Sequence, residues 1–167
     1  MAAYVGVDPR KDINWVILPN AEAKQQLAAG KIDAFYASSP DAQELRARKV
    51  GHVVVNSNVD RPWSQYFCCA LVANREFVKQ HPVATKRALR AILKASDICA
   101  ADPERVVELL VKKGYVTQRD YALQGLKETS YQWRQYDSED TVRFWALRLH
   151  QAGMIKATPL EDHGPGC

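Results

Sequence analysis

Four runs of the chain carry apolar residues in the short, dense blocks expected of β-strands. They are 13–18 (INWVIL), 32–37 (IDAFYA), 52–56 (HVVVN) and 65–73 (QYFCCALVA), rich in β-branched and aromatic side chains. Between the first three lie segments with helical character. One runs from about Ala21 to Ala29, with Asn20 placed to cap it and Gly30 to end it in the left-handed conformation. The next opens at Ser38-Ser39-Pro40, with Ser39 as N-cap and Pro40 at the first helical position, carrying Leu45 inward and Arg46, Arg48 and Lys49 outward. Strands alternating with single helices predict an α/β fold: a three-layer sheet with helices on both faces. The run 65–73, apolar throughout, predicts a strand buried on both faces.

From Asn74 the periodicity changes to that of helices. Asn74 caps a short one that ends near His81, before Pro82. Residues 82–100 form the clearest helix, with Ala84, Ala88, Ile92, Ala95 and Cys99 on one stripe. Asp102-Pro103-Glu104 starts another, which ends before Gly114. Thr117 with Asp120 resembles a capping box for a helix reaching about Thr129. Asp137 or Ser138 caps a last helix, with Val142, Trp145, Ala146 and Leu149 on one stripe and Gly153 as its stop. The chain therefore reads as an α/β part, a helical C-terminal half and a loose tail over 158–167.

Composition sets bounds around this picture. The 167 residues are 47% hydrophobic and 25% charged, with a net charge of +4, as in an ordinary globular protein. The basic residues are spread along the chain, unlike a nucleic-acid binder. No run approaches the ~18 apolar residues of a membrane span. The first residues lack the basic and apolar regions of a signal peptide, so the expectation is a cytoplasmic chain or an export signal outside this sequence. The four histidines and four cysteines have no zinc-like spacing, and no metal or cofactor is expected. Cys68 and Cys69, adjacent in a strand, would point to opposite faces. They read either as small buried apolar residues or as one partner of a disulfide with Cys99.

No GxSxG, P-loop, HExxH or GxGxxG motif is present, so no catalytic constellation is expected. Asp137, Glu139 and Asp140 read as helix-capping charges. Two segments are candidates for ligand contact. Ser38 and Ser39 stand at a strand's carboxyl end and a helix's amino end, where free N–H groups favour an anion; the plainer reading is an N-cap. Arg61, Trp63 and Tyr66 combine a cationic fork with flat apolar walls. The plainer reading there is that Trp63 and Tyr66 are core and Arg61 pairs with Asp60 or solvent.

A longer series of segments carries a resemblance. Gly30-Lys-Ile-Asp-Ala34 is followed by Pro40-Asp-Ala-Gln-Glu-Leu-Arg-Ala-Arg48 and by Asp60-Arg-Pro-Trp-Ser-Gln-Tyr-Phe-Cys-Cys69. Then come Asn74-Arg-Glu-Phe-Val78, Pro82-Val-Ala-Thr-Lys-Arg-Ala-Leu-Arg-Ala-Ile-Leu-Lys94, Tyr136-Asp-Ser-Glu-Asp140 and Arg148-Leu-His-Gln-Ala-Gly-Met-Ile-Lys156. This series is similar to periplasmic solute-binding proteins of the nitrate/sulfonate/taurine (NMT1/THI5-like) class, in the type II superfamily. The resemblance implies a two-lobed α/β clamp that holds a small anionic or pyrimidine-like solute and delivers it to an ABC importer permease. It implies that 1–64 is second-lobe α/β structure, 65–73 the crossover strand and 74–157 a helical remnant of the first lobe. It further implies that the first lobe's opening segment and the signal peptide precede Met1, and that the protein is periplasmic. The alternative is a truncated or mobile-gene-derived interaction module that self-associates and no longer binds the family's ligand, since uncovered sheet edges favour a homo-oligomer. Thiamine-pyrimidine synthases resemble this superfamily, but their cysteine-rich run differs from Phe67-Cys-Cys-Ala70. A LysR-type effector domain shares the fold type, yet no helix-turn-helix is present.

Overall fold

The computed structural model describes residues 1–157, and among them the only regular elements are helices. They are α1 (Asn20–Ala28), α2 (Asp41–Ala47), α3 (Arg75–Gln80), α4 (Pro82–Ala101), α5 (Pro103–Lys112), α6 (Arg119–Glu128) and α7 (Ser138–Gln151), with 3-10 turns at Ala2–Val5 and Trp63–Gln65. The predicted three-layer α/β sheet is therefore incorrect for the described residues: none of 13–18, 32–37, 52–56 or 65–73 forms a strand. The physical reason is that β-propensity reports fit to a pleated, half-buried surface, not a backbone preference that acts alone. A strand without a paired neighbour has nothing to satisfy its N–H and C=O groups. Here the packed pairs are helix on helix, and the apolar runs stay at the surface. Ile17 is 98% exposed and Val72 85% exposed. The predicted tail 158–167 lies outside the described residues.

The helical expectations fare better because their signals are local. Asn74 Oδ1 accepts from the Phe77 N–H at 3.0 Å, Asp102 Oδ1 from Arg105 at 3.1 Å and Asp137 Oδ1 from Asp140 at 2.9 Å. Gly30, just past α1, has φ +67° as its stop position requires. Two caps differ. Helix α2 starts at Asp41 with Pro40 as its N-cap and no side-chain cap bond, so Ser39 is not the cap. Helix α6 starts at Arg119 after Gln118, without the Thr117–Asp120 box.

Two of the predicted buried stripes also differ. Helix α4 has no buried residue, and Ile92 and Leu89 face solvent. On α7 the inward face is Thr141 and Trp145 with Phe144 and Arg148, followed by the buried C-cap Ala152, while Val142 and Leu149 are exposed. The core is correspondingly small. Val107 of α5 is fully enclosed, Ala122 of α6 is buried, and α5 packs on α6. Ion pairs Arg119–Glu108 at 2.7 Å and Lys127–Glu104 at 2.6 Å clip the rim of that pair. Helix α6 also carries α2 on its surface and meets α4. A second cluster forms where Trp63 (5% exposed) stacks on Trp145 at 5.8 Å and meets Tyr4 and Phe144 edge-on at 5.1 and 5.9 Å.

Candidate functional site

Helix α6 organises the region around Ser38 and Ser39. Gly125 is buried in its last turn, and a Cβ there would stand 1.8 Å from Ser39 Oγ. Three residues on, Glu128 gathers α2. Arg46 Nη2 donates to both of its oxygens at 2.6 Å, Gln43 Nε2 at 3.0 Å and Gln124 Nε2 at 2.9 Å. Burial alone would raise the Glu128 pKa; these donors outweigh it, and the carboxyl is held below its ordinary value. The Glu128 carbonyl accepts from Asn58 Nδ2 at 3.3 Å, which brings the loop before Arg61 to the same helix end.

The amino end of α2 is already supplied with negative charge. Lys24 of α1 donates to Asp41 at 2.7 Å and to Glu44, and Arg48 donates to Glu44 at 2.9 Å. The hydrogen bond to Asp41, then that to Glu44, raises Lys24; the bond from Lys24 chiefly lowers Glu44. Through Asp41 and Glu44, Lys24 fastens α1 to α2.

The loop 56–60 is closed by its own polar groups. Asn56 N–H donates to Asp60 Oδ2 at 2.6 Å, and Asn58 N–H to Asn56 Oδ1 at 3.0 Å. Asp60 is spent on this turn rather than on Arg61. Arg61 is exposed, with no hydrogen-bonding or ion-pair partner among the described residues. Three peptide units separate it from Asn58, so its Cα lies within about 11 Å of that residue's. Ser38, also exposed, is held through its carbonyl, which accepts from Ala42 at 3.1 Å.

The five sequence-predicted residues therefore divide. Ser38 and Arg61 are open to solvent and tied to segments that converge on the end of α6. Ser39 is exposed too, with its side chain against Gly125. Trp63 lies inside the aromatic cluster, and Tyr66 stacks on Phe144 with ring centroids 3.9 Å apart. The three described cysteines are free. Tyr131, beside Cys99, is pushed up to about 12, first by burial and then by Cys99.

A polar cleft of about 380 Å³ went unread in the sequence. Asp97, Ala100 and Ala101 of α4 line one wall, Tyr131, Arg134 and Gln135 the other. Arg134 forms a two-pronged bond to Asp97 at 2.7 and 3.0 Å, Trp133 Nε1 adds a third at 2.9 Å, and the guanidinium lies 3.9 Å over the Trp133 ring. The hydrogen bonds from Arg134, then Trp133, hold Asp97 at about 2. No recognisable motif marks it in the sequence. A second cleft, of about 560 Å³, lies beside His81, Pro82 and Arg87. Among the described residues no group of three or more His, Cys, Asp or Glu side chains could hold a metal.

Residues 2–110 match the NMT1-like family. The chain is also similar to the bicarbonate-binding protein CmpA of Synechococcus sp., with 31% identity over 94 residues, 56% of this chain and 20% of that protein. The bicarbonate-binding protein CmpA of Synechococcus elongatus is 30% identical over 94 residues, again 56% of this chain and 20% of that protein. The chain thus spans about a fifth of the length of these relatives. No solved structure matches it. Ser38, Ser39, Arg61, Trp63 and Tyr66 lie in the family-matched part, whereas α6, α7 and the Tyr131–Gln135 wall lie beyond it.

Proposed function

Because this chain belongs to the NMT1-like family through residues 2–110, we propose that it binds a small oxyanion as part of an ABC importer's solute-binding protein. The resemblance drawn from the Gly30–Ala34 and Asp60–Cys69 segments and the family match agree. The observation that carries the reading is this match together with two relatives named for binding bicarbonate. The function is one of binding, not catalysis, in keeping with those relatives. Delivery to a permease and a periplasmic location belong to the same proposal.

The chemistry of the open side chains fits an oxyanion. Arg61 presents a planar guanidinium that no carboxylate of the described residues neutralises, and such a fork matches two oxygens of a trigonal anion. Ser38 adds a hydroxyl donor. Trp63 supports the loop from within the core, so the proposed contacts are Arg61, Ser38 and the neighbouring, also exposed Ser39. Calorimetry on the wild-type chain, Arg61→Ala and Ser38→Ala tests this against bicarbonate, nitrate, an alkanesulfonate and an aminopyrimidine. A charged hydrogen bond contributes roughly 1.5–3 kcal/mol, so Arg61→Ala should weaken the preferred anion about tenfold or more. Unchanged affinity in that variant, or binding that responds only to Arg134→Ala, would place the solute elsewhere.

A second reading is favoured by the exposed apolar runs. Ile17, Val54 and Val72 are among the most exposed large side chains of the chain, and α4 turns its apolar stripe outward. Surface of this kind recruits a second copy of the chain through hydrophobic burial. Sedimentation velocity at micromolar concentration should then show a dimer or larger species, and a strict monomer would end this reading.

A further inference from the structure

Cys68 and Cys69 stand side by side rather than apart. Alternation along a strand would have sent them to opposite faces. With no strand here, their sulfurs lie 3.4 Å from each other. Both residues are exposed and free. The third described cysteine, Cys99, is engaged with Tyr131.

We propose that Cys68 and Cys69 form a two-thiol chelating site for trivalent arsenic of the monosubstituted arsenoxide class. The geometry selects the guest. An atom bonded to both sulfurs at about 2.3 Å, the usual zinc–thiolate length, would subtend about 95° across this gap. A tetrahedral ion at that length calls for about 109°, which needs sulfurs about 3.8 Å apart. It would also lack further ligands, since no third His, Cys, Asp or Glu completes a set among the described residues. Trivalent arsenic bonds through nearly perpendicular p orbitals and keeps a lone pair. Two sulfurs and one organic substituent satisfy it.

Protonation points the same way. Burial first, then the neighbouring Cys69, raises the Cys68 thiol above its ordinary value, so it stays protonated near neutral pH. Oxidation needs the thiolate and is slow for such a thiol. An arsenoxide carries its own proton acceptor. Two S–H bonds and the arsenic–oxygen bond break, two S–As bonds form, and the oxygen leaves as water with both protons. Arsenic stays trivalent and sulfur is not oxidised, so no oxidant is required.

The test is the full chain with phenylarsine oxide, read by intact mass and by titration of the remaining thiols. The expected product carries one arsenical less one water, loses two titratable thiols and is released by 2,3-dimercaptopropanol. Cys68→Ser and Cys69→Ser should each weaken retention on the order of a hundredfold, because the second sulfur's effective concentration is lost. Cys99→Ser and Cys167→Ser should retain the adduct. Both members of the pair are exposed, so far-UV circular dichroism should show unchanged helix in the serine variants. No adduct on the wild type, or equal retention in either single variant of the pair, overturns the proposal.

Discussion

Ser39 Oγ occupies the space a methyl group on Gly125 would need: a Cβ there would lie 1.8 Å from the oxygen and 2.8 Å from Ser39 Cβ. This contact sets how closely α2 approaches α6. Alanine at an exposed helix interior is worth up to about 1 kcal/mol over glycine. Overpacking at a tight site costs about 1–3 kcal/mol. The clash involves Ser39 Cβ as well as its hydroxyl, so rotation of the side chain does not relieve it. Gly125→Ala should therefore lower stability by about 1 kcal/mol in urea unfolding. Adding Ser39→Gly should recover most of that loss, a coupling that independent sites would not show.

Removing Lys24 should release α1. Its side chain and those of Asp41 and Glu44 are 14%, 14% and 10% exposed, and truncation leaves two enclosed carboxylates facing each other. Breaking a fully buried pair costs about 3–5 kcal/mol. These groups lie close to the surface of a small molecule, where water still screens them, so Lys24→Ala should cost about 1–3 kcal/mol. Lys24→Ala with Asp41→Asn should recover part of it. Thermal unfolding of the three variants at neutral pH checks this.

Asp97 gives the chain an acid-sensitive tie. Its pKa is about 2 in the folded chain against an ordinary 3.8. A carboxyl lowered by folding contributes stability above its unfolded value, and that contribution fades as pH falls through the folded one. Asp97→Asn should be less stable than wild type at pH 6. The two should converge between pH 3.8 and about 2, as read from urea midpoints across that range. A constant gap over the whole range would mean that the side chain acts through shape rather than charge.

Arg61 and Trp63 should separate function from stability. Trp63→Ala removes the centre of the aromatic cluster and should cost about 3–5 kcal/mol. Arg61→Ala, at an exposed position, should stay within about 0.5 kcal/mol of wild type. Chemical denaturation of both, beside the anion titrations, distinguishes a lost contact from a lost fold.

The helices were legible because their signals lie within a few residues: Asn74, Asp102 and Asp137 cap their own first turns, and Pro82 and Pro103 sit where a missing N–H does no harm. The sheet was misread because Ile13–Leu18 and His52–Asn56 have strand composition, whereas pairing depends on partners far along the chain. Stripes on α4 and α7 had helical spacing, but spacing cannot say which face meets a neighbour. The ambiguity at Trp63 could be stated but not resolved, since an aromatic wall and an aromatic core have the same composition. Asp97 and Arg134 were out of reach, because 37 positions separate them and neither belongs to a recognisable motif.

The stacking of Trp63 on Trp145, with planes 21° apart and centroids 5.8 Å from each other, has an optical consequence. Two indoles this close share their excited states, and Trp133, under a guanidinium at 3.9 Å, emits from a separate environment. Light absorbed by the pair therefore reports on the joint between the 3-10 turn and α7, two residues from Arg61, while Trp133 reports on the Asp97 cleft. With the exposed Trp15 replaced by phenylalanine, a solute settling at either place would change a different part of the chain's own emission, with no attached dye.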